Sequence, residues 1–174
     1  MRIEVSRDVF RLAQVFTISR GSRTEAQVLT VKISEGGVTG WGECVPYARY
    51  DETLESVTSE IEGLPDVFTR ADLYDLLPAG AARNAVDCAL WDLEAKQTGK
   101  RVWELAGLAK PGPEITAYTL SLDTPEKMQA QAALHAYRPL LKIKLGTPDD
   151  MPRLEAVRAG APDAQIIIDA NEGW

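Results

Sequence analysis

Two short apolar runs, LKIKLG at 141–146 and IIIDAN at 166–171, constrain this chain more than any other feature. Each has strand length, each ends in polar residues, and one helix-length segment separates them. Strands joined in that way lie parallel, because a tight turn serves only antiparallel neighbours and a parallel pair needs a crossover. Side chains alternate along a strand, so Lys142 and Lys144 share one face while Leu141, Ile143 and Leu145 share the other. Residues 166–168 read as a strand buried in a parallel sheet, carrying the carboxylate of Asp169 to its C-terminal end.

The same rhythm extends upstream. Residues 115–122 predict a strand, and Thr124 with Pro125 opens a helix to about residue 137, since Thr caps and Pro suits the first turn. A strand follows at 140–145, a helix at 149–159 and a third strand at 165–170. Strands alternating with crossover helices form right-handed βαβ units and a parallel sheet. Such a sheet is the opening of a (β/α)8 barrel. A complete barrel needs about 200 residues or more, and only about 60 follow the KPGP cluster at 110–113, which marks a domain boundary. The expectation is an α/β chain in which an α+β domain (1–110) precedes a barrel domain (111–174) that stops after its third strand.

Before that boundary, a first strand is expected at 3–12. Residues 25–34 alternate, the Gly36-Gly37 pair supplies a turn, and 38–43 return as the second arm of a hairpin. A helix at 53–63 places Leu54, Val57 and Ile61 at spacings of three and four. The strongest helix, 81–98, has one face of Ala82, Ala85, Val86, Ala89, Leu90 and Leu93, with Gly99 at its stop. A short helical turn is expected at 102–108.

Composition excludes several classes of partner. The 174 residues carry 19 Lys and Arg against 26 Asp and Glu, a net charge of −7. That balance repels nucleic acid and anionic membranes, leaving Arg20 and Arg23 as a small basic island in a loop. No apolar run approaches the roughly 20 residues that span a bilayer. Cys44 and Cys88 show no metal-binding spacing, and the N-terminus lacks a long apolar signal, which together suit a cytoplasmic protein with reduced thiols. His135 falls in a predicted helix and reads as structural.

The chemistry lies at the strand ends. Lys142 and Lys144 sit about 6.6 Å apart at Cα, from a rise near 3.3 Å per residue. A second ammonium and a nearby metal ion both disfavour charge on a lysine, which turns it toward a base. The run by itself also fits an edge strand with two solvated lysines. Asp169 alone is no Mg²⁺ site, because the ion takes about six oxygens in near-octahedral order. Asn171 shares its face and would orient it or a ligand; a loop-capping Asp-x-Asn turn fits the same residues. A double-lysine strand followed by an Asp-tipped strand, behind an α+β domain, points to metal-assisted, lysine-driven proton transfer.

On these residues, together with FTISRGSRTEA at 16–26, GWGECVPYARY at 40–50, ARNAVDCALWDL at 82–93 and DANEGW at 169–174, the chain resembles the enolase superfamily in its muconate-lactonizing branch. Within it, the resemblance is to the dipeptide epimerases of L-Ala-D/L-Glu type. It implies an N-terminal capping domain whose loops, about 17–24 and 46–53, close over the mouth of a (β/α)8 (TIM-type) barrel. It implies Lys144 as the base that removes the substrate α-proton, with Lys142 neutralising the substrate carboxylate. Thr119 and Arg23 become substrate contacts, Arg23 for a side-chain carboxylate, although a solvated loop arginine fits Arg23 as well. Asp169 becomes the first of three carboxylates on one Mg²⁺ per active site. The helix bearing Arg83, Asn84, Asp87 and Trp91 reads as packing. The implied reaction is a 1,1-proton transfer on a small dipeptide through an enediolate, in the recycling of cell-wall peptides, with homo-oligomerisation left open. The other metal carboxylates, an opposite lysine and the strand for the dipeptide ammonium are expected beyond Trp174. The chain is therefore expected to be the N-terminal half of an enzyme, inactive and weak for Mg²⁺ by itself. An N-acylamino acid racemase, a cycloisomerase and a non-catalytic binding or assembly module remain as alternatives.

Overall fold

The alternation around residues 25–34 becomes a strand, and its partners run further than the pattern suggests. In the computed structural model, which describes residues 1–148 and 150–174, β1 (Arg2–Ile18), β2 (Gly21–Glu35) and β3 (Val38–Cys44) form a sheet in that order. Strand β1 outruns the expected 3–12 because its distal half is mostly exposed. Backbone pairing holds it there, with no buried alternation to announce it. The expected loop at 17–24 is in fact the end of β1, a two-residue turn at Ser19 and Arg20, and the start of β2, so Arg23 belongs to a strand. Gly36 and Gly37 (φ 58° and 80°) close the hairpin of β2 and β3 in the left-handed region, where a Cβ is costly.

Two compact units make up the chain. One holds Met1–Phe10 and Gln27–Pro111, and the other holds Arg11–Ala26 and Gly112–Trp174. In the first, Leu29, Val31 and Ile33 of β2 point into a core covered by helix α3 (Ala81–Thr98). All six apolar positions read from the sequence of α3 are buried. Val57 and Ile61 of α1 (Leu54–Glu62) and Leu73 of α2 (Leu73–Leu76) complete the core, and the short helix α4 (Val102–Leu105) follows α3. Thr53 caps α1: its Oγ1 accepts the Ser56 N–H at 3.0 Å while Ser56 Oγ accepts the Thr53 N–H at 3.0 Å. Cys44 and Cys88 are free thiols. Burial first, then the nearby Glu52 and Glu43, pushes the Cys44 thiol up to about 11.

In the second unit, β4 (Tyr118–Leu120), β5 (Leu140–Lys144) and β6 (Gln165–Asp169) form a parallel sheet with β5 in the middle. Helices α5 (Pro125–Leu134) and α6 (Asp150–Gly160) are the crossovers. The expected start of the second crossover at Asp149 lies outside the described residues. Strand β4 is shorter than 115–122 because only Tyr118, Thr119 and Leu120 lie opposite β5. Helix α5 ends before 137, at His135, whose ring packs 3.9 Å from that of Tyr118. The core gathers Leu120, Met128, Ala132, Leu141, Ile143, Leu145 and Val157. The expectation of a buried triple-isoleucine strand is corrected: Ile167 and Ile168 are each 44% exposed. Among the described residues β6 pairs only with β5, which leaves its other side uncovered. Among the described residues no helix is long and apolar enough to cross a membrane.

Candidate active site

Register decides which side chains meet. Thr119 lies opposite Lys142, and Lys144 lies opposite Asp169. Neighbours in register on a parallel sheet project to the same side, and so do residues two apart on one strand. Thr119, Lys142, Lys144 and Asp169 therefore occupy one face, while Leu141, Ile143 and Leu145 on the other are buried against the helices.

The two ammonium groups converge on one oxygen. Lys142 Nζ and Lys144 Nζ each lie 2.8 Å from Asp169 Oδ2. The other oxygen, Oδ1, accepts the Asn171 N–H at 2.9 Å. Hydrogen bonds from Lys142, then Lys144, then that N–H hold the Asp169 carboxyl well below the usual carboxylate range, against the opposing pull of burial. The solvated-edge reading of the lysines is overturned, because β5 is the central strand and Lys144 is only 7% exposed. The Asp-x-Asn turn is present as well, with Asn171 at φ 48°. It serves one carboxylate oxygen while the lysines share the other.

Contacts from the first hairpin frame this cluster. The Phe16 ring centroid lies 5.9 Å from Lys144 Nζ, within reach of a cation–π contact. Ser19 Oγ reaches the Ala170 and Asn171 carbonyls, each at 3.2 Å, and Arg20 pairs with Glu172 at 3.1 Å. Nothing in the local sequence pattern pointed to these contacts. Arg23 stands apart: it is exposed on β2 and forms no hydrogen bond or ion pair with Thr119, Lys142, Lys144 or Asp169.

Sequence reasoning also missed Asp150. With Lys144 it makes up the buried charged residues among those described. Its Oδ2 accepts N–H groups from Gly146 (2.8 Å), Thr147 (3.0 Å) and the Trp174 indole (2.8 Å), and Oδ1 accepts the Thr147 hydroxyl at 3.1 Å. The signal available was an acidic residue at a helix start just after a Gly-Thr-Pro turn. Burial alone would raise the Asp150 carboxyl, but the donors from Trp174, Gly146 and Thr147 outweigh it and hold it below its ordinary value. A depressed native value stabilises the fold above the unfolded value near 3.9, and that stability is lost as pH falls through the native one. Asp150→Asn is therefore expected to cost about 2 kcal/mol at neutral pH, with the gap from wild type shrinking below about pH 3.9. Urea titrations of both proteins from pH 6 to 3 check this.

A metal ion fits here only as part of a larger set. Among the described residues no three His, Cys, Asp or Glu side chains gather where an ion would sit. Asp169 supplies one carboxylate of the roughly six oxygens that Mg²⁺ takes.

Comparison with known proteins identifies the family. Residues 2–107 match the family described as "Mandelate racemase / muconate lactonizing enzyme, N-terminal domain". An L-Ala-D/L-Glu epimerase of Escherichia coli K12 is 43% identical over 178 residues, covering 99% of this chain and 56% of the relative. An N-acetyl-D-glutamate racemase of a Pseudoalteromonas species is 45% identical over 154 residues, covering 84% of this chain and 48% of the relative. A crystal structure of an enolase family member from Agrobacterium tumefaciens, with homology to dipeptide epimerases and with bound sodium and L-Ala-L-Glu, superposes with a TM-score of 0.94 at 55% identity over 99% of this chain and 54% of that one. A dipeptide epimerase of Enterococcus faecalis, complexed with Mg and L-Leu-L-Tyr, gives a TM-score of 0.88 at 28% identity over 99% of this chain and 53% of that one. The chain thus spans about half the length of the relatives it matches. It belongs to the mandelate racemase/muconate lactonizing enzyme family of the enolase superfamily.

Proposed function

We propose that this chain supplies one side of the active site of a dipeptide epimerase acting on acidic dipeptides of L-Ala-D/L-Glu type. The observation that carries the reading is the convergence of Lys142 and Lys144 on Asp169 at 2.8 Å, at the C-terminal ends of parallel strands. Barrel enzymes collect their reacting groups at those ends. In this reading residues 1–110 are the capping domain and 111–174 open the barrel. Lys144 takes the α-proton from the glutamyl residue of the substrate, and the electron pair left behind spreads into the adjacent carboxylate. Lys142, beside it on the same face, offsets the charge that builds there. Thr119 borders the substrate, and Asp169 is one ligand of a Mg²⁺. When bound, that ion supplies further positive charge to the substrate carboxylate. Returning the proton from the opposite side needs a second acid, which the reading assigns to residues outside these 174. We place the protein in the cytoplasm, in the recycling of cell-wall peptides.

In D₂O the active enzyme is expected to convert L-Ala-L-Glu to L-Ala-D-Glu with deuterium entering the glutamyl α-position, followed by proton NMR. Absence of both exchange and epimerisation would end the reading. A second reading, racemisation of an N-acylamino acid, is favoured by the 45% identity to the N-acetyl-D-glutamate racemase. N-acetylglutamate assayed alongside the dipeptide separates the two, and the higher kcat/KM is expected on the dipeptide.

Arg23 is read as the partner of the glutamyl side-chain carboxylate. Arg23→Ala is expected to raise KM for L-Ala-L-Glu about tenfold, the loss of one charge-assisted hydrogen bond, and to leave KM for L-Ala-L-Leu nearly unchanged. Equal changes for both dipeptides would remove Arg23 from the site.

A further inference from the structure

We infer that Asp150 is a positioning residue that clamps together the exits of the two strands carrying Lys144 and Asp169. The inference rests on the epimerase reading above and concerns a residue that forms no hydrogen bond or ion pair with either lysine or the Asp169 carboxylate.

The argument starts from where the Asp150 partners sit. Gly146 and Thr147 lie on the segment that leaves β5 just after Lys144, and Trp174 lies on the segment that leaves β6 after Asp169. One oxygen, Oδ2, accepts N–H groups from both segments at 2.8–3.0 Å. With three donors on that oxygen and the Thr147 hydroxyl on the other, Asp150 has little capacity left for a ligand. Its part is therefore structural with respect to the site. Arg153 fixes the arrangement from α6: it donates to Thr147 Oγ1 and to the Asp123 carbonyl (2.8 Å), and it lies 3.8 Å from Asp150 Oδ1. The negative charge also sits at the start of α6, where the helix dipole favours it.

The two exits are already pressed together, which makes the clamp effective. The Leu145 N–H donates to the Asp169 carbonyl at 3.2 Å. A Cβ on Gly146 would come within 2.6 Å of the Ala170 carbonyl oxygen, and one on Gly173 within 2.6 Å of Gly146 Cα. Backbones that close slide past each other only if the clamp opens. With it closed, Lys144 and Asp169 keep their register. A small misplacement of reacting groups carries a large rate cost, so a residue holding that register acts on kcat rather than on substrate affinity.

Two variants of the active enzyme test this. Asp150→Asn is expected to lower kcat for L-Ala-L-Glu about ten- to hundredfold with KM changed less than about threefold, as for other residues that orient a reacting group through a neighbour. Trp174→Phe removes a single N–H donor and keeps an aromatic ring in place, so the protein is expected to stay folded, which its melting curve checks. Its kcat is expected to fall about fivefold, the worth of one hydrogen bond, again with KM kept. Unchanged kcat in Trp174→Phe, or a loss in Asp150→Asn that tracks only the fraction unfolded, would overturn the inference. The wild-type rate on the same dipeptide is the separate check on the epimerase reading. If wild type is inactive, both fall, whereas an active wild type with indifferent variants sinks only the clamp.

Discussion

Lys144→Met in the active enzyme is expected to slow epimerisation of L-Ala-L-Glu by about a thousandfold while the protein stays folded. The rate loss follows from the proposed role of Lys144 as the base, since a positioned general base contributes about 10²–10⁴. The fold survives for two reasons. Methionine matches the length of the lysine stem and suits a site only 7% exposed. Asp169 also keeps a counter-ion, because Lys142 Nζ remains 2.8 Å from the same oxygen. The substitution therefore avoids the usual penalty for stranding a partly buried charge. The loss should also be one-sided. The diastereomer whose α-proton faces Lys144 is expected to stop exchanging with D₂O, while the other still exchanges through the group on the opposite face. Equal loss for both diastereomers, or a rate within tenfold of wild type, would assign the base elsewhere.

Gly42→Ala is expected to destabilise the first unit by about 3 kcal/mol or more, enough to consume a large part of a typical domain's stability. Gly40 and Gly42 lie on the face of β3 that meets α3, with Trp41 pointing the other way, 49% exposed. A Cβ on Gly42 would run into the Ala85 carbonyl oxygen and stand 2.9 Å from the Ala89 nitrogen. Both are backbone atoms of a helix whose own small residues, Ala85 and Ala89, are fully buried in the same contact. No side chain is there to rotate away, so helix and sheet must part. Denaturant midpoints read the effect, and a loss below about 1 kcal/mol would mean that the two layers yield more easily than their spacing implies.

The sequence made some parts of this molecule readable and concealed others for identifiable reasons. Helix α3 was readable end to end, because its apolar face repeats at helical spacing and Gly99 marks its stop. The lysine face of β5 was readable from the period of two. The distal half of β1 was not, since none of its residues is buried and it is held extended by pairing with β2 and by bonds between Thr17 and the Ser121–Leu122 segment. The three isoleucines misled in the opposite direction: their hydrophobicity announced burial, and among the described residues β6 has a neighbour on one side only, which leaves two of them exposed. Asp150 looked like one more acid at a helix start until its donors, Gly146 and Trp174, were found on two separate segments.

Local chemistry thus determined which segments become strands and helices, and which face of β5 carries charge. Those properties depend on residues within a few positions of one another. The meeting of Lys144 with Asp169, and the choice of Asp150 as a shared acceptor for two strand exits, were decided only by the tertiary structure. Each joins groups about 25 positions apart, and the packing of a whole crossover helix sets the register that brings them within hydrogen-bonding distance.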